Sequence, residues 1–259
     1  MTKIDSEKIA KHIVDWLNRY IEELPIRGFI LGVSGGVDSA VVASLCARTE
    51  KEVLLLSMPI HQSESEYTRA SKQISALERA FDNVKSIEIN LTPAFDGFSS
   101  LLPKEVQEDR LSLANARSRL RMTTLYSIGQ AHQLLVVGTG NKIEDFGIGF
   151  FTKYGDGGVD INPIGDLLKS EVYQLASYLE VIEEIQLAKP TDGLWGDNRS
   201  DEDQIGATYE ELEFAFHYKG KGEELTARQK EVMEIYQRLN KANKHKVNPI
   251  PVCDVSHLR

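Results

Sequence analysis

Four short runs of strand-forming residues, at 28–33, 52–57, 84–90 and 134–138, recur along the chain between longer stretches of helical periodicity. Two of them, 52–57 and 134–138, are apolar at nearly every position. That suits parallel strands covered on both faces. Residues 5–24 place Ile9, Ile13, Trp16, Leu17 and Ile21 on one helical face, with Asp5 or Ser6 as a cap and Pro25 as a stop. A second helix follows the first strand through Val41, Val42, Leu45 and Cys46. A third runs from His61 to about Phe81, with Ser63 and Glu66 spaced as a capping box. Residues 92–100, rich in Pro, Gly and Ser, predict a loop, and Pro103 opens a long helix to about Gln133. Further helices are predicted at 168–180 and at 224–243, the latter with Val232, Ile235, Tyr236 and Leu239 on one face. Polar, glycine-bearing stretches at 192–206 and 217–223 read as candidate mobile loops.

A leading helix followed by four strand–helix units predicts an α/β protein with a doubly wound parallel sheet flanked by helices. Right-handed crossovers with strand one in the centre give the strand order 3-2-1-4. The chain's 259 residues, without internal repeats, suit a single domain spanning 1–259. A formal net charge of −9 argues against a nonspecific nucleic-acid surface, so no nucleic-acid partner is expected. Two cysteines, Cys46 and Cys253, form neither a metal cluster nor a disulfide framework, which fits a reducing compartment. The N-terminus has no signal-peptide pattern and no apolar run approaches the roughly 18 residues of a membrane span. A cytoplasmic address with no membrane partner is expected.

The most informative turn follows the first strand: Gly32-Val33-Ser34-Gly35-Gly36-Val37-Asp38-Ser39. A strand, a glycine turn and a helix aim backbone N–H groups at an anion. Three readings are open at this point. One is a plain strand-to-helix turn. Another is a hydrolase nucleophile elbow built on Ser34, with His245 or His257 as base. The third is a phosphate loop that lacks the Walker lysine. Glu144, after the fourth strand, lies where strand ends converge in such sheets. It and Asp38 form a candidate Mg²⁺ pair, unless Glu144 only serves a first helical turn. Arg117, Arg119 and Arg121 offer either anion binding or a solvated basic face.

Ser34 to Ser39 resembles the SGGxDS signature of the N-type ATP pyrophosphatases, the PP-loop family, whose fold is Rossmann-like, of the adenine nucleotide alpha hydrolase type. The stretch Gly149-Phe-Phe-Thr-Lys-Tyr-Gly-Asp-Gly-Gly-Val-Asp160 resembles a block of the ammonia-dependent NAD synthetases. Arg119-Leu-Arg-Met122, Val136 to Thr139, Lys169, Pro190-Thr191 and His245-Lys246 agree with it. The resemblance covers about residues 28 to 247.

That resemblance implies ATP-dependent amidation of deamido-NAD by ammonia through an adenylate, releasing AMP and pyrophosphate. It implies ATP contacts from Gly32, Ser34, Gly35, Gly36, Val37, Asp38, Ser39, Thr139, Lys169 and Thr191. Deamido-NAD would meet Arg119, Lys153, Asp160, His245 and Lys246. Asp38 and Glu144 would hold Mg²⁺, and Asp38, Lys169 and Glu144 would act in catalysis. Phe150, Phe151 or Tyr154 could stack on the nicotinate ring. A homodimer is implied, with the helix at 103–133 as a candidate interface. No glutaminase segment is visible in the sequence, so ammonia is the expected nitrogen source. Where many relatives read G-T-D-H-A-A-E, this chain reads Gly138-Thr-Gly-Asn-Lys-Ile-Glu144, and one extra residue precedes Gly149. The alternatives that remain are another PP-loop ligase (tRNA-modifying or GMP-forming), the serine hydrolase, and a nucleotide sensor without catalysis.

Overall fold

The computed structural model describes residues 3–191, 200–220 and 224–259. Gly28–Gly32 forms β1, Glu52–Ser57 β2, Val84–Glu88 β3 and Leu134–Val136 β4. All pair in parallel, in the order β3-β2-β1-β4. The two central strands are apolar on both sides because both sides are covered. Phe29, Leu31, Val53 and Leu55 turn to one core, while Ile30, Leu54 and Leu56 turn to another.

The helices are Ser6–Glu22 (α1), Val37–Ala47 (α2), Glu64–Ala80 (α3), Thr92–Ser100 (α4), Lys104–Gln107 (α5) and Arg110–His132 (α6). A π-helix, Lys142–Ile148, follows β4. Then come Lys169–Tyr178 (α7), Glu183–Gln186 (α8), Asp201–Ile205 (α9), Tyr209–His217 (α10) and Ala227–Val247 (α11). α1, α2 and α7 cover the first core and α4 and α6 contribute to the second. A third apolar cluster joins the π-helix to α10 and α11 through Ile143, Ile148, Leu212 and Val232.

Three local expectations change. Residues 92–100 are helical: Pro93 sits in the first turn, where its missing N–H is no loss, and Phe95 anchors the helix in the second core. The helix predicted from Pro103 to Gln133 is broken. Asp109 caps α6 by accepting from Leu111 N at 3.0 Å and Ser112 N at 3.4 Å, which separates it from α5. At α3, Ser63 caps as expected, but its hydroxyl also donates to Glu66 Oε2 at 2.9 Å, so the reciprocal box does not close. Of the expected loops, 192–199 and 221–223 lie outside the described residues, and 201–205 are helical. No described helix is long and apolar enough to cross a membrane.

Candidate active site

The carboxyl ends of β1 and β4 open on one cavity of about 550 Å³. One wall is the turn from Gly32 to Ser39, all eight residues of which line it. Gly35 has φ +86°, and a Cβ there would lie 2.5 Å from the Glu66 carbonyl oxygen of α3. Only glycine fits. Gly36, the N-cap of α2, supplies no side-chain cap, so the helix offers its first N–H groups and its positive end to the cavity. Ser34 Oγ accepts weakly from Gly36 N at 3.3 Å and shares a hydrogen bond with Ser39 Oγ at 3.1 Å. No histidine lines the cavity among the described residues, and His245, on the surface, shares a ring nitrogen contact with its own helix at Ala242 O. Among the described residues neither His245 nor His257 lines the cavity with Ser34, which weighs against the hydrolase reading.

At the far side of the turn, Lys169 brings two carboxylates together. Its Nζ donates to Asp38 Oδ2 at 2.6 Å and to Glu144 Oε1 at 2.9 Å, with 3% of the lysine side chain exposed. Burial drives the Asp38 carboxyl up from its ordinary range, against the pull of Lys169 and with repulsion from Glu144. Burial acts on Glu144 in the same sense, but Lys169 and the hydrogen bond from the Tyr209 hydroxyl outweigh it and hold the carboxyl down. Lys169 is held firmly protonated: its burial is overcome by the two anions.

Asn141 organises this cluster. Fully buried, it accepts from Ile143 N and Glu144 N, both at 3.1 Å, and donates through Nδ2 to Asp38 Oδ1 at 3.1 Å. It caps the π-helix and ties Glu144 to Asp38. The turn before Gly149 is a π-helix, the wider form that one additional residue in a helical turn gives. Asp145 then fills the space that a side chain at 140 would take, because a Cβ on Gly140 would lie 1.9 Å from Asp145 Oδ2.

Thr139, Lys246 and Thr191 also line the cavity. Lys246 Nζ donates to Gly149 O at 2.9 Å and Phe151 O at 2.7 Å, pinning the end of α11 to the aromatic loop. Thr191 donates to Glu66 at 2.7 Å. Phe150 and Phe151 are in the wall, whereas Tyr154 is exposed outside it.

Arg119, Lys153, Asp160 and His245 are not in the wall. Three of them form a chain along its rim. Arg119 Nη2 donates to Lys153 O at 3.3 Å, and Lys153 Nζ to His245 O at 2.7 Å. The Asp160 carboxylate is taken by Tyr126 Oη at 3.0 Å and Val136 N at 2.8 Å.

Sequence reasoning passed over Arg69, Lys189, Asn141 and Tyr209, and left Arg121 open between anion binding and a solvated face. Arg69, Arg121 and Lys189 line the cavity as additional cations, with Arg69 Nε on Gly35 O at 3.2 Å and Arg121 Nε on Met58 O at 3.0 Å. Arg121 was visible in the run of arginines: it shares a helical face with Arg117, and Arg119 points elsewhere.

The sequence profile of the NAD synthase family matches residues 9–249. The chain belongs to the NAD synthase family. An NH(3)-dependent NAD(+) synthetase from Carboxydothermus hydrogenoformans is 36% identical over 247 residues, spanning 94% of this chain and 96% of that one. Among solved structures, an NMN synthetase from Francisella tularensis superposes with a TM-score of 0.85 at 30% identity, covering 97% of this chain and all of the other. An NH3-dependent NAD synthetase from Campylobacter jejuni superposes at 0.78 with 27% identity and the same coverage. The likeness extends over both the loop at Ser34 and the block at 149–160, so the family fold accounts for the whole parallel sheet.

Proposed function

We propose that the chain amidates deamido-NAD with ammonia at the expense of ATP, giving NAD, AMP and pyrophosphate. The observation that carries this reading is the uncapped N-terminus of α2 facing the same cavity as the Asp38–Lys169–Glu144 cluster. The nicotinate carboxylate attacks the α-phosphorus of ATP, the bond to the β-phosphate oxygen breaks, and pyrophosphate leaves. Ammonia then attacks the activated carbonyl and AMP departs. The first step needs charge neutralisation more than a protein nucleophile. Backbone N–H groups of residues 34–39, Lys169, Arg69, Arg121 and Lys189 supply it. Thr139 and Thr191, which line the same cavity, would contact ATP.

Asp38 and Glu144 fit a Mg²⁺ ion, since their oxygens already converge on one cation, the Lys169 ammonium, and such ions are usually held by one or two carboxylates plus phosphate oxygens. When bound, the ion would neutralise phosphate charge, and the Lys169 ammonium beside it would add a second positive charge toward the phosphates. Phe150 and Phe151 give the nicotinate ring a flat apolar surface. Lys246 in the wall, with Arg119, Lys153 and His245 beyond it, would meet the rest of a dinucleotide. Asp160 belongs to the same deamido-NAD proposal, with its carboxylate held by Tyr126 and Val136. A cytoplasmic homodimer, with exposed Leu111 on α6 as part of its contact, belongs to the same reading.

A second acceptor has a specific observation behind it. A relative of this chain with a closely superposing structure is named an NMN synthetase. The mononucleotide counterpart of deamido-NAD is therefore the competing substrate. Pyrophosphate release with Mg-ATP and ammonium, measured for both acceptors, decides. Release above buffer with either one supports amidation and ranks the two; release with neither sinks it.

A further inference from the structure

Two cavities meet at one pair of side chains. Asp145 lines the large cavity. A smaller cleft of about 370 Å³ on the outer side is lined by Lys142, Phe146, Asn162, Gly165 and Asp166. Between them, Asn162 Nδ2 donates to Asp145 Oδ2 at 3.2 Å. This amide–carboxyl contact joins the lining of one cavity to the lining of the other. Asp145 belongs to the π-helix and sits over Gly140.

The other end of that amide is open. Asn162 Oδ1 is buried and has no hydrogen-bond partner among the described residues. A buried acceptor without a donor is costly, and native proteins rarely leave one without a reason. Beside a carboxyl group, in a gap between two cavities, it calls for a small species with several N–H donors. Ammonia has three and ammonium four. On the side of the large cavity the acidic side chains Asp38, Glu144 and Asp156 lie near Asp145, the first two of them paired with Lys169. At the outer mouth, Lys142 is paired with Asp166 at 2.7 Å, so the pair presents little net charge, and Phe146 is half-exposed beside it. The large cavity is the place of ATP and the acceptor. Once both are bound, its own mouth is filled, and a third substrate needs another way in.

We propose that the outer cleft is the port through which ammonium reaches the site, with Asn162 and Asp145 as its seat between the two cavities. This rests on the amidation reading above.

The test is steady-state kinetics on the full chain with ammonium chloride as the varied substrate. Asn162→Leu removes both polar atoms at similar volume. The expected result is a KM for ammonium raised about tenfold, the scale of one lost hydrogen bond to a charged group. The KM for ATP, and the acceptor-dependent pyrophosphate burst without ammonium, should stay within about twofold. Phe146→Ala widens the mouth and should improve the use of methylamine relative to ammonium by about tenfold, the usual scale of steric discrimination. An unchanged ammonium KM in folded Asn162→Leu overturns the port, and so does an equal rise in the KM for ATP. Should Asn162→Leu fail to fold, Phe146→Ala, a surface change, decides alone, and unchanged amine selectivity there overturns the proposal. Absence of the burst in the unaltered protein defeats the amidation reading instead.

Discussion

The ammonium of Lys169 lies 2.6 Å from the Asp38 carboxylate and 2.9 Å from that of Glu144, almost wholly out of solvent. Removing it leaves two buried anions facing each other. Lys169→Met should cost about 3–5 kcal/mol of stability near pH 7, the usual price of stranding a buried charge, and cut turnover by roughly a hundredfold or more. Thermal denaturation with and without magnesium chloride checks the assignment of the carboxylates. Magnesium should restore more stability to Lys169→Met than to the unaltered protein. Equal responses would count against a metal site between Asp38 and Glu144.

Asn141 has two duties that separate by substitution. Asn141→Ala loses the cap of the π-helix and the donor to Asp38, and should lower stability by about 1–3 kcal/mol. Asn141→Asp keeps oxygens for Ile143 N and Glu144 N but sets an acceptor against Asp38. It should keep more of the melting temperature than Asn141→Ala while pyrophosphate release still falls about tenfold. Unaltered release in Asn141→Asp would show that the link to Asp38 has no catalytic weight.

Two glycines should respond in opposite ways. Gly35→Ala forces a Cβ against the Glu66 carbonyl at φ +86° and should cost about 1–3 kcal/mol and weaken ATP binding. Gly97, in α4, has nothing within 4 Å of its would-be Cβ. Gly97→Ala should add about 0.5–1 kcal/mol through helix propensity alone. Chemical denaturation together with nucleotide titration reads both, and a Gly35→Ala protein that binds ATP normally would refute the close-approach argument.

Away from the site, Glu211 accepts from Arg228 at 2.7 and 2.8 Å and closes the capping box of α10. The hydrogen bond from Arg228 is the chief reason its carboxyl is lowered to about 2. A carboxyl lowered on folding adds stability above its unfolded value, near 4.5, and that increment disappears as pH falls from there through about 2. Glu211→Gln should therefore melt at a lower temperature than the unaltered protein at pH 7. The gap should narrow below pH 4.5, where a constant gap would exclude this pair as its source.

The parallel sheet was legible because Leu54, Leu55 and Leu56 in succession can be buried only between two helical layers. The loop at Ser34 was legible for a related reason: its glycines and serines form a local motif that needs no distant residue to interpret. Lys169 could be placed in the site by resemblance, but its partnership with Asp38 and Glu144 could not, since those residues are 131 and 25 positions away. The cap at Asp109 was present in the sequence as Asp-Arg-Leu-Ser and was overridden by the apolar continuity on either side of it. Phe95 made a helix of a segment whose composition spoke for a loop. Arg119 and Lys153 carry the right charge, yet the direction in which each side chain leaves its element puts them on the rim.

Asp160 has a consequence of a different kind. Its carboxylate accepts from Val136 N, and its own N–H donates to Val136 O at 2.9 Å. Val136 belongs to β4, the outermost strand on that side of the sheet. One residue thereby occupies both outward-facing backbone groups at the point where another extended chain would dock. Edges left open in this way recruit further strands and seed aggregation. The side chain that family resemblance assigns to the substrate thus also takes part, with the backbone of residues 160–161, in closing the edge of the sheet.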